Sequence, residues 1–174
     1  MIFTLRLATK NDIPAIAELI PVSAHGLQAD DYSPELIEAA LGPIFAVDEL
    51  LIEDQTFFVA EAEGKIVGCG GWSKRDRLYG SNQGSGRYLD PSREPASIRA
   101  FFVHPDFARR GIGAAIMRAS EIAAKSEGFK MLTLVATLTG VPLYAHFGFK
   151  ETEAAEIDAS NGLRMPVVRM SKQI

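Results

Sequence analysis

The stretch Phe101-Phe102-Val103-His104-Pro105-Asp106-Phe107-Ala108-Arg109-Arg110-Gly111-Ile112-Gly113 concentrates residues that could do chemistry. It reads as a strand that turns directly into a helix through a glycine-bearing loop. In the first turn of a helix the backbone N–H groups lack partners within the helix, and glycine lets an anion approach them with no Cβ in the way. Arg109 and Arg110 add positive charge at that point, so the chemistry suits phosphate. The pattern is not a dinucleotide fingerprint, because the third glycine of GxGxxG would fall on Ile116, and it lacks the Lys-Ser or Lys-Thr of a P-loop. Taken alone, such a glycine pair at a helix start more often serves close packing.

The hydrophobic pattern supplies elements to hold this loop. Residues 2–7 alternate as in a half-buried strand, and Asp12 then offers an N-cap to a helix carrying Ile13, Ile16, Ala17 and Ile20 on one face. Ser33-Pro34-Glu35 predicts a second helix start, ended by Gly42-Pro43. Residues 56–61 and 65–69 read as strands of a hairpin joined across Glu63-Gly64. Over residues 73–95 the periodicity lapses into Gly, Ser, Asn, Pro and charge, with Lys74, Arg75, Arg77, Arg87 and Arg93. A substrate-contacting lid and a solvated excursion are equally open readings of so long a loop. Residues 97–103 form a strand, His104-Pro105 a turn, and residues 111–126 a helix with Ile112, Ala115, Ile116, Ala119, Ile122 and Ala123 on its apolar face, stopped by Gly128. Residues 131–136 follow as a strand and 141–147 as a short helix, and the segments after Phe149 and around 167–170 close the chain as two strands.

One strand and one loop downstream of the glycine helix lies Leu143-Tyr144-Ala145-His146-Phe147-Gly148-Phe149. The two segments, in this order and at this separation, resemble the GNAT superfamily of acyl-CoA-dependent N-acetyltransferases. The succession of strands and helices is similar to that family's over essentially the whole chain. The resemblance implies an α/β fold (α+β by some schemes). It would be a single acetyltransferase domain over residues 1–174, with a mixed, mostly antiparallel sheet, two splayed parallel strands and helices on both faces. It implies that acetyl-CoA, the acyl donor, lies in the opening between strands 97–103 and 131–136. There the main chain at Phe101, Phe102 and Val103 would bond the pantetheine arm, and the amides of Arg109, Arg110, Gly111, Ile112, Gly113 and Ala114 would hold the pyrophosphate. Tyr144 matches the family tyrosine that protonates the departing CoA thiolate. A thiol of pKa about 8.5 leaves readily when a donor of pKa about 10 is within hydrogen-bond reach. The competing reading is a packing tyrosine beside Gly148 and Phe149. Phe101, Phe102, Phe147 and Phe149 read as core, Cys69 as a small buried hydrophobe, and His104 as a turn residue.

The sequence also departs from the family. Ala108 stands where an Arg or Gln often opens the phosphate loop, although that loop works through main-chain donors. Thr137 stands where the family commonly has the Asn that precedes the tyrosine, keeping a hydroxyl and losing an amide. The positions of two carboxylates that many members carry on the splayed strands are Ser97 and Leu132, so no general base is evident. Neutralising a lysine-like amine of pKa 10.4 at pH 7 costs about 4.6 kcal/mol, whereas an α-amine near 7.8 costs about 1 kcal/mol. Either the acceptor is a weakly basic amine, or a remote acid such as Glu94 acts through water.

Bulk properties narrow the rest. Apolar residues make up 47% of the chain, enough for a full core, and the net charge of −4 gives no field that draws in nucleic acid. The single Cys69 cannot form an internal disulfide, and His25, His104 and His146 are too scattered for a zinc site. Residues 1–10 alternate, and no later segment stays apolar for about 18 residues, so the expectation is a cytoplasmic protein without a membrane partner. The expected activity is acetyl transfer from acetyl-CoA to a primary amine on a small molecule or peptide. A non-catalytic acyl-CoA-binding or regulatory domain is the alternative. The acceptor is expected near Tyr79, Arg87 and Tyr88 and near residues 25–32; basic residues there read first as a solvated surface and only second as a hint of an acidic group on it. Edge strands near the C-terminus could pair two chains, and a homodimer is what the family resemblance implies.

Overall fold

A computed structural model describes residues 2–77 and 85–174. In chain order the elements are β1 (Thr4–Leu7), α1 (Ile13–Leu27), α2 (Pro34–Ala40), α3 (Glu49–Glu53), β2 (Phe57–Ala62), β3 (Lys65–Ser73), β4 (Ala96–Val103), α4 (Ile112–Ser126), β5 (Met131–Thr137), α5 (Val141–His146), β6 (Lys150–Asp158) and β7 (Arg164–Gln173). The strands form one sheet in the order β1-β2-β3-β4-β5-β7-β6. Only β4 and β5 run parallel; their neighbours pair antiparallel.

Local chemistry accounts for the boundaries. Glu63 and Gly64 both adopt positive φ, 53° and 73°, the two-residue turn that matches the twist of a hairpin, and β2 and β3 pair across it. Ser33 Oγ accepts from the Leu36 amide and Pro34 opens α2, as the sequence indicates. Asp12 does not cap α1 as expected. Its carboxylate accepts from the Thr9 amide at 2.7 Å and from both Arg6 terminal nitrogens at 2.8 Å, which tie β1 to the entry of α1. The apolar face of α4 is also rotated from the expected one: Ile112, Ile116, Met117, Ser120 and Ala124 are buried, while Ile122 is 70% exposed. Ala39, Ala40 and Ile37 of α2 and Leu51 and Ile52 of α3, an element the sequence reading missed, are buried. Residues of α1, α2 and α3 form one core cluster with Phe57, Val59 and Cys69, and those of α4 pack against Ala60, Val67, Trp72 and Leu132 in the other clusters, so the sheet is covered on both faces.

The feature that positions the site is a bulge in β4. Phe102 stands opposite Cys69 and Arg99 opposite Gly71, so Ala100 and Phe101 together face Gly70. Ala100 takes φ 57°, a left-handed conformation that costs a residue with a Cβ about 1–2 kcal/mol. A Cβ on Gly70 would lie 2.6 Å from the Phe101 ring, so the ring lies directly over this glycine. Already ahead of the bulge β4 ceases to follow its parallel neighbour. It pairs with β5 only at Ala96↔Leu132 and Ser97↔Thr133, whereas β5 stays paired with β7 from Met131 to Thr137. A wedge therefore opens between β4 and β5.

Candidate active site

One side of the wedge is a cavity of about 560 Å³ lined by the first turn of α4 and the loop before it. Gly111 adopts φ 87° and Arg109 φ 62°, and these turns bring the chain sharply into the helix. Glycine is needed at 111 for the backbone angle alone, since a Cβ there would meet nothing within 4 Å. The first intrahelical bond of this turn runs from the Ala115 amide to the Gly111 carbonyl, which leaves the amides ahead of it without helical partners. Of the expected donor contacts, Phe101, Val103, Arg109, Gly111, Ile112, Gly113, Ala114 and Thr137 line this cavity. Phe102 lines a second cavity instead, and Arg110 lies with its guanidinium 5.5 Å from the Phe107 ring. The Val103 amide already donates to Ser23 Oγ at 3.0 Å, so Ser23 of α1, which no sequence motif flagged, covers that point of the wedge.

The second cavity, about 100 Å³, lies at the other side of the wedge. Gln28, Phe101, Thr137 and Tyr144 line both, so the cavities meet at these four side chains. Tyr144 comes from α5, whose approach is fixed by the Thr137 hydroxyl accepting from the Gly140 amide at 3.2 Å. Its ring packs edge-on against Phe101 and Phe149, each with centroids 6.0 Å away, and the residue is 9% exposed. Tyr144 thus has a packing role and faces both cavities at once. Among the described residues its hydroxyl has no hydrogen-bond partner, and burial raises its pKa, keeping the phenol protonated.

Charged groups at the smaller cavity were not evident in the sequence. Arg99 of β4 and Asp48 before α3 both line it, with Arg99 Nη2 3.1 Å from Asp48 Oδ2. Arg77 Nε approaches the same oxygen at 3.8 Å. Burial lowers the Arg99 pKa, Asp48 opposes the shift and Arg77 adds to it. Gln28 carries a buried side-chain carbonyl oxygen with no partner among the described residues. Tyr32 anchors this region: its hydroxyl donates to the Pro166 carbonyl at 2.6 Å and accepts from the Leu138 amide at 2.8 Å. The signal for Arg99 was a charged residue inside a strand whose other members, Ser97 apart, are apolar.

Other sequence candidates fall elsewhere. Glu94 lines neither cavity; Arg87 and the Asp90 amide hold its carboxylate, with a pKa lowered to about 2, a poor base at neutral pH. The stems of the 73–95 excursion pair with each other through Leu89 to Lys74 and Asp76 to Arg87 main-chain bonds, and Arg75 fastens them to Asp54 at 2.7 and 2.8 Å. Tyr88 lies under the Arg75 guanidinium, 4.1 Å from it, and neither Arg87 nor Tyr88 lines a cavity. Tyr79 lies outside the described residues. Cys69 is fully buried, its thiol pushed up to about 12 by burial, which suits a core residue. His104 Nδ1 accepts from the Asp106 amide at 3.2 Å, closing a turn. Among the described residues no cluster of side chains could hold a metal ion, and no helix is long and apolar enough to cross a membrane.

Comparison with known proteins agrees with this geometry. The model of the acetyltransferase (GNAT) domain matches residues 53–151. An uncharacterized N-acetyltransferase of Methanocaldococcus jannaschii is 29% identical over 158 residues, 88% of this chain and 63% of that protein, so the chain spans less than two thirds of the relative's length. A GCN5-related N-acetyltransferase from Rhodopseudomonas palustris shares the fold with a TM-score of 0.75 at 23% identity, over 100% of this chain and 99% of that one. The PaiA N-acetyltransferase of Thermoplasma acidophilum, solved in complex with coenzyme A, matches over the full length of both chains with a TM-score of 0.68 at 17% identity. A family match spanning more than half of the sequence, on a sheet that opens between its two parallel strands, leads to one conclusion: the chain belongs to the GNAT acetyltransferase family.

Proposed function

We propose that the protein transfers an acetyl group from acetyl-CoA to an amine nitrogen, with Tyr144 as the general acid. The observation that carries this reading is the meeting of the two cavities at Tyr144, one reaching the amides at the start of α4 and the other leading away from them. The larger cavity fits the donor. Its volume suits an extended ligand arm, and the left-handed Gly111 leaves open space where a diphosphate approaches the amides of Gly111, Ile112, Gly113 and Ala114. Phe101 and Thr137 would flank the arm near the thioester, while Ser23 holds the Val103 amide.

In this reading the acceptor nitrogen bonds to the acyl carbon as the carbon–sulfur bond breaks. Tyr144 gives its phenolic proton to the departing sulfur, and the proton shed by the nitrogen passes to water, which restores the phenol. Position supports the role: the phenol stands where the two cavities meet and is neutral at pH 7, so its proton is available to a thiolate formed beside it. Positioning the two reactants in adjoining cavities supplies the rest. The test is release of free CoA from acetyl-CoA across a panel of amines. Release that depends on both an amine and the Tyr144 hydroxyl supports the transferase. Tight acetyl-CoA binding with no release across the panel favours a binding or regulatory domain instead.

A further inference from the structure

The smaller cavity has a charge imbalance that the transferase reading does not use. Arg99 and Arg77 share one oxygen of Asp48, and the side chains are only 5%, 10% and 3% exposed. Two cations therefore sit against one anion with little water to screen them. Residues 78–84 contribute no acidic side chain that could redress the balance. Arg75, the neighbouring basic residue, is already matched bidentately by Asp54, so Asp54 is committed elsewhere. A buried excess charge is costly unless an opposite charge joins it. Arg99 lines the cavity, so an anion placed there would meet it directly.

Gln28 provides a second point of recognition. It lines both cavities, and its buried carbonyl oxygen lacks a donor among the described residues, an arrangement that a ligand N–H would satisfy. The volume of about 100 Å³ admits a compact head group, a carboxylate with a few carbons, and not a bulky ring system. The apolar lining of Ile44, Phe45, Ile98, Val135 and Val167 suits those carbons.

We propose that the smaller cavity is the acceptor subsite and selects a compact amine bearing a carboxylate, the carboxylate facing Arg99 and the amine meeting the Gln28 carbonyl beside Tyr144. This proposal rests on the transferase reading and names its substrate class. It also bears on the missing base. An amine near its own free carboxylate holds its proton more firmly; pairing that carboxylate with a guanidinium removes the effect and eases delivery of a neutral nucleophile.

The experiment uses a panel of amino acids, each beside its carboxamide and its decarboxylated amine, with CoA release and thermal shift as separate readouts. The expected acceptors are free acids. Arg99→Gln should raise their KM at least tenfold and abolish their advantage over the carboxamides, with the KM for acetyl-CoA unchanged and partial recovery in Arg99→Lys. Because Arg77 remains to pair Asp48, the variant should keep its fold, which its melting curve reports. Gln28→Glu, which puts an anion at the same cavity, should likewise remove the preference for acids. Equal turnover of acids, carboxamides and decarboxylated amines by the wild-type protein would overturn the subsite proposal while leaving the transferase intact. If acetyl-CoA binds but no amine releases CoA, the transferase reading fails. A thermal shift by acids that Arg99→Gln abolishes then upholds the anion pocket alone, and no such shift sinks it too.

Discussion

Replacing Tyr144 by Phe separates chemistry from packing. The ring keeps both edge-on contacts, to Phe101 and Phe149, at 6.0 Å, and the phenol gives up no hydrogen bond among the described residues. A hydroxyl buried without a partner costs roughly 1–3 kcal/mol in mutational series. The residue is 9% exposed and faces two cavities, so the lower figure applies here. Removing the hydroxyl should leave stability unchanged or raise it by about 1 kcal/mol, a Tm increase of up to roughly 2–4 °C for a chain of this size. A positioned general acid contributes typically 10²–10⁴-fold, which is about 2.7–5.4 kcal/mol of barrier. The expected result is a protein at least as stable, with a KM for acetyl-CoA within about twofold and kcat reduced by about 100-fold or more. Thiol-detected CoA release and a melting curve on the same preparation give both numbers. A kcat within a factor of about two of wild type would remove Tyr144 as the general acid. A Tm lowered by several degrees would mean that the phenol is a structural group.

Other consequences are equally open to measurement. Gly111→Ala puts a Cβ at φ 87°, which costs about 1–2 kcal/mol; the loop amides should move and the KM for acetyl-CoA should rise, with the amine KM changing less. Tyr32→Phe strands the Leu138 amide and loses the bond to the Pro166 carbonyl, so unfolding in urea should show a loss of about 2–4 kcal/mol. Asp12 has its pKa lowered, chiefly by hydrogen bonds from Arg6, so its contribution is present above the unfolded value near 4 and is lost as pH falls below it. The Tm difference between wild type and Asp12→Asn should therefore be full at pH 7 and shrink steadily below pH about 4. A constant difference down to pH about 2 would contradict that linkage.

Much of the fold was legible because its signals are local. A two-residue Glu63-Gly64 turn, the Ser33-Pro34 helix start and the left-handed Gly111 act within a few residues of where they stand in the chain. The loop before α4 was legible for the same reason: its unpaired donors are main chain, and their directions follow from the helix start itself. Two local readings went astray where tertiary contacts intervened. Asp12 turns from the helix end to Arg6, a residue held by its own strand, and the face of α4 rotates toward Met117, Ser120 and Ala124 because β3 and β4 lie on that side. A short α3 carries too few residues to show a period, although Leu51 and Ile52 are buried.

The smaller cavity could not be read from the chain in order. Gln28, Asp48, Arg99 and Tyr144 come from α1's end, a loop, β4 and α5, and nothing in their spacing announces that they border one cavity. The insertion of β7 between β5 and β6 is likewise invisible locally, since either closing strand could pair with β5 until the packing of Met165, Val167 and Met170 chooses. Sequence alone determined the covalent pattern of turns, caps and main-chain donors, whose energies depend on neighbours in the chain. Tertiary structure decided how far β4 and β5 part and which charges share one pocket, because burial and Coulomb attraction act across space and take no account of chain order.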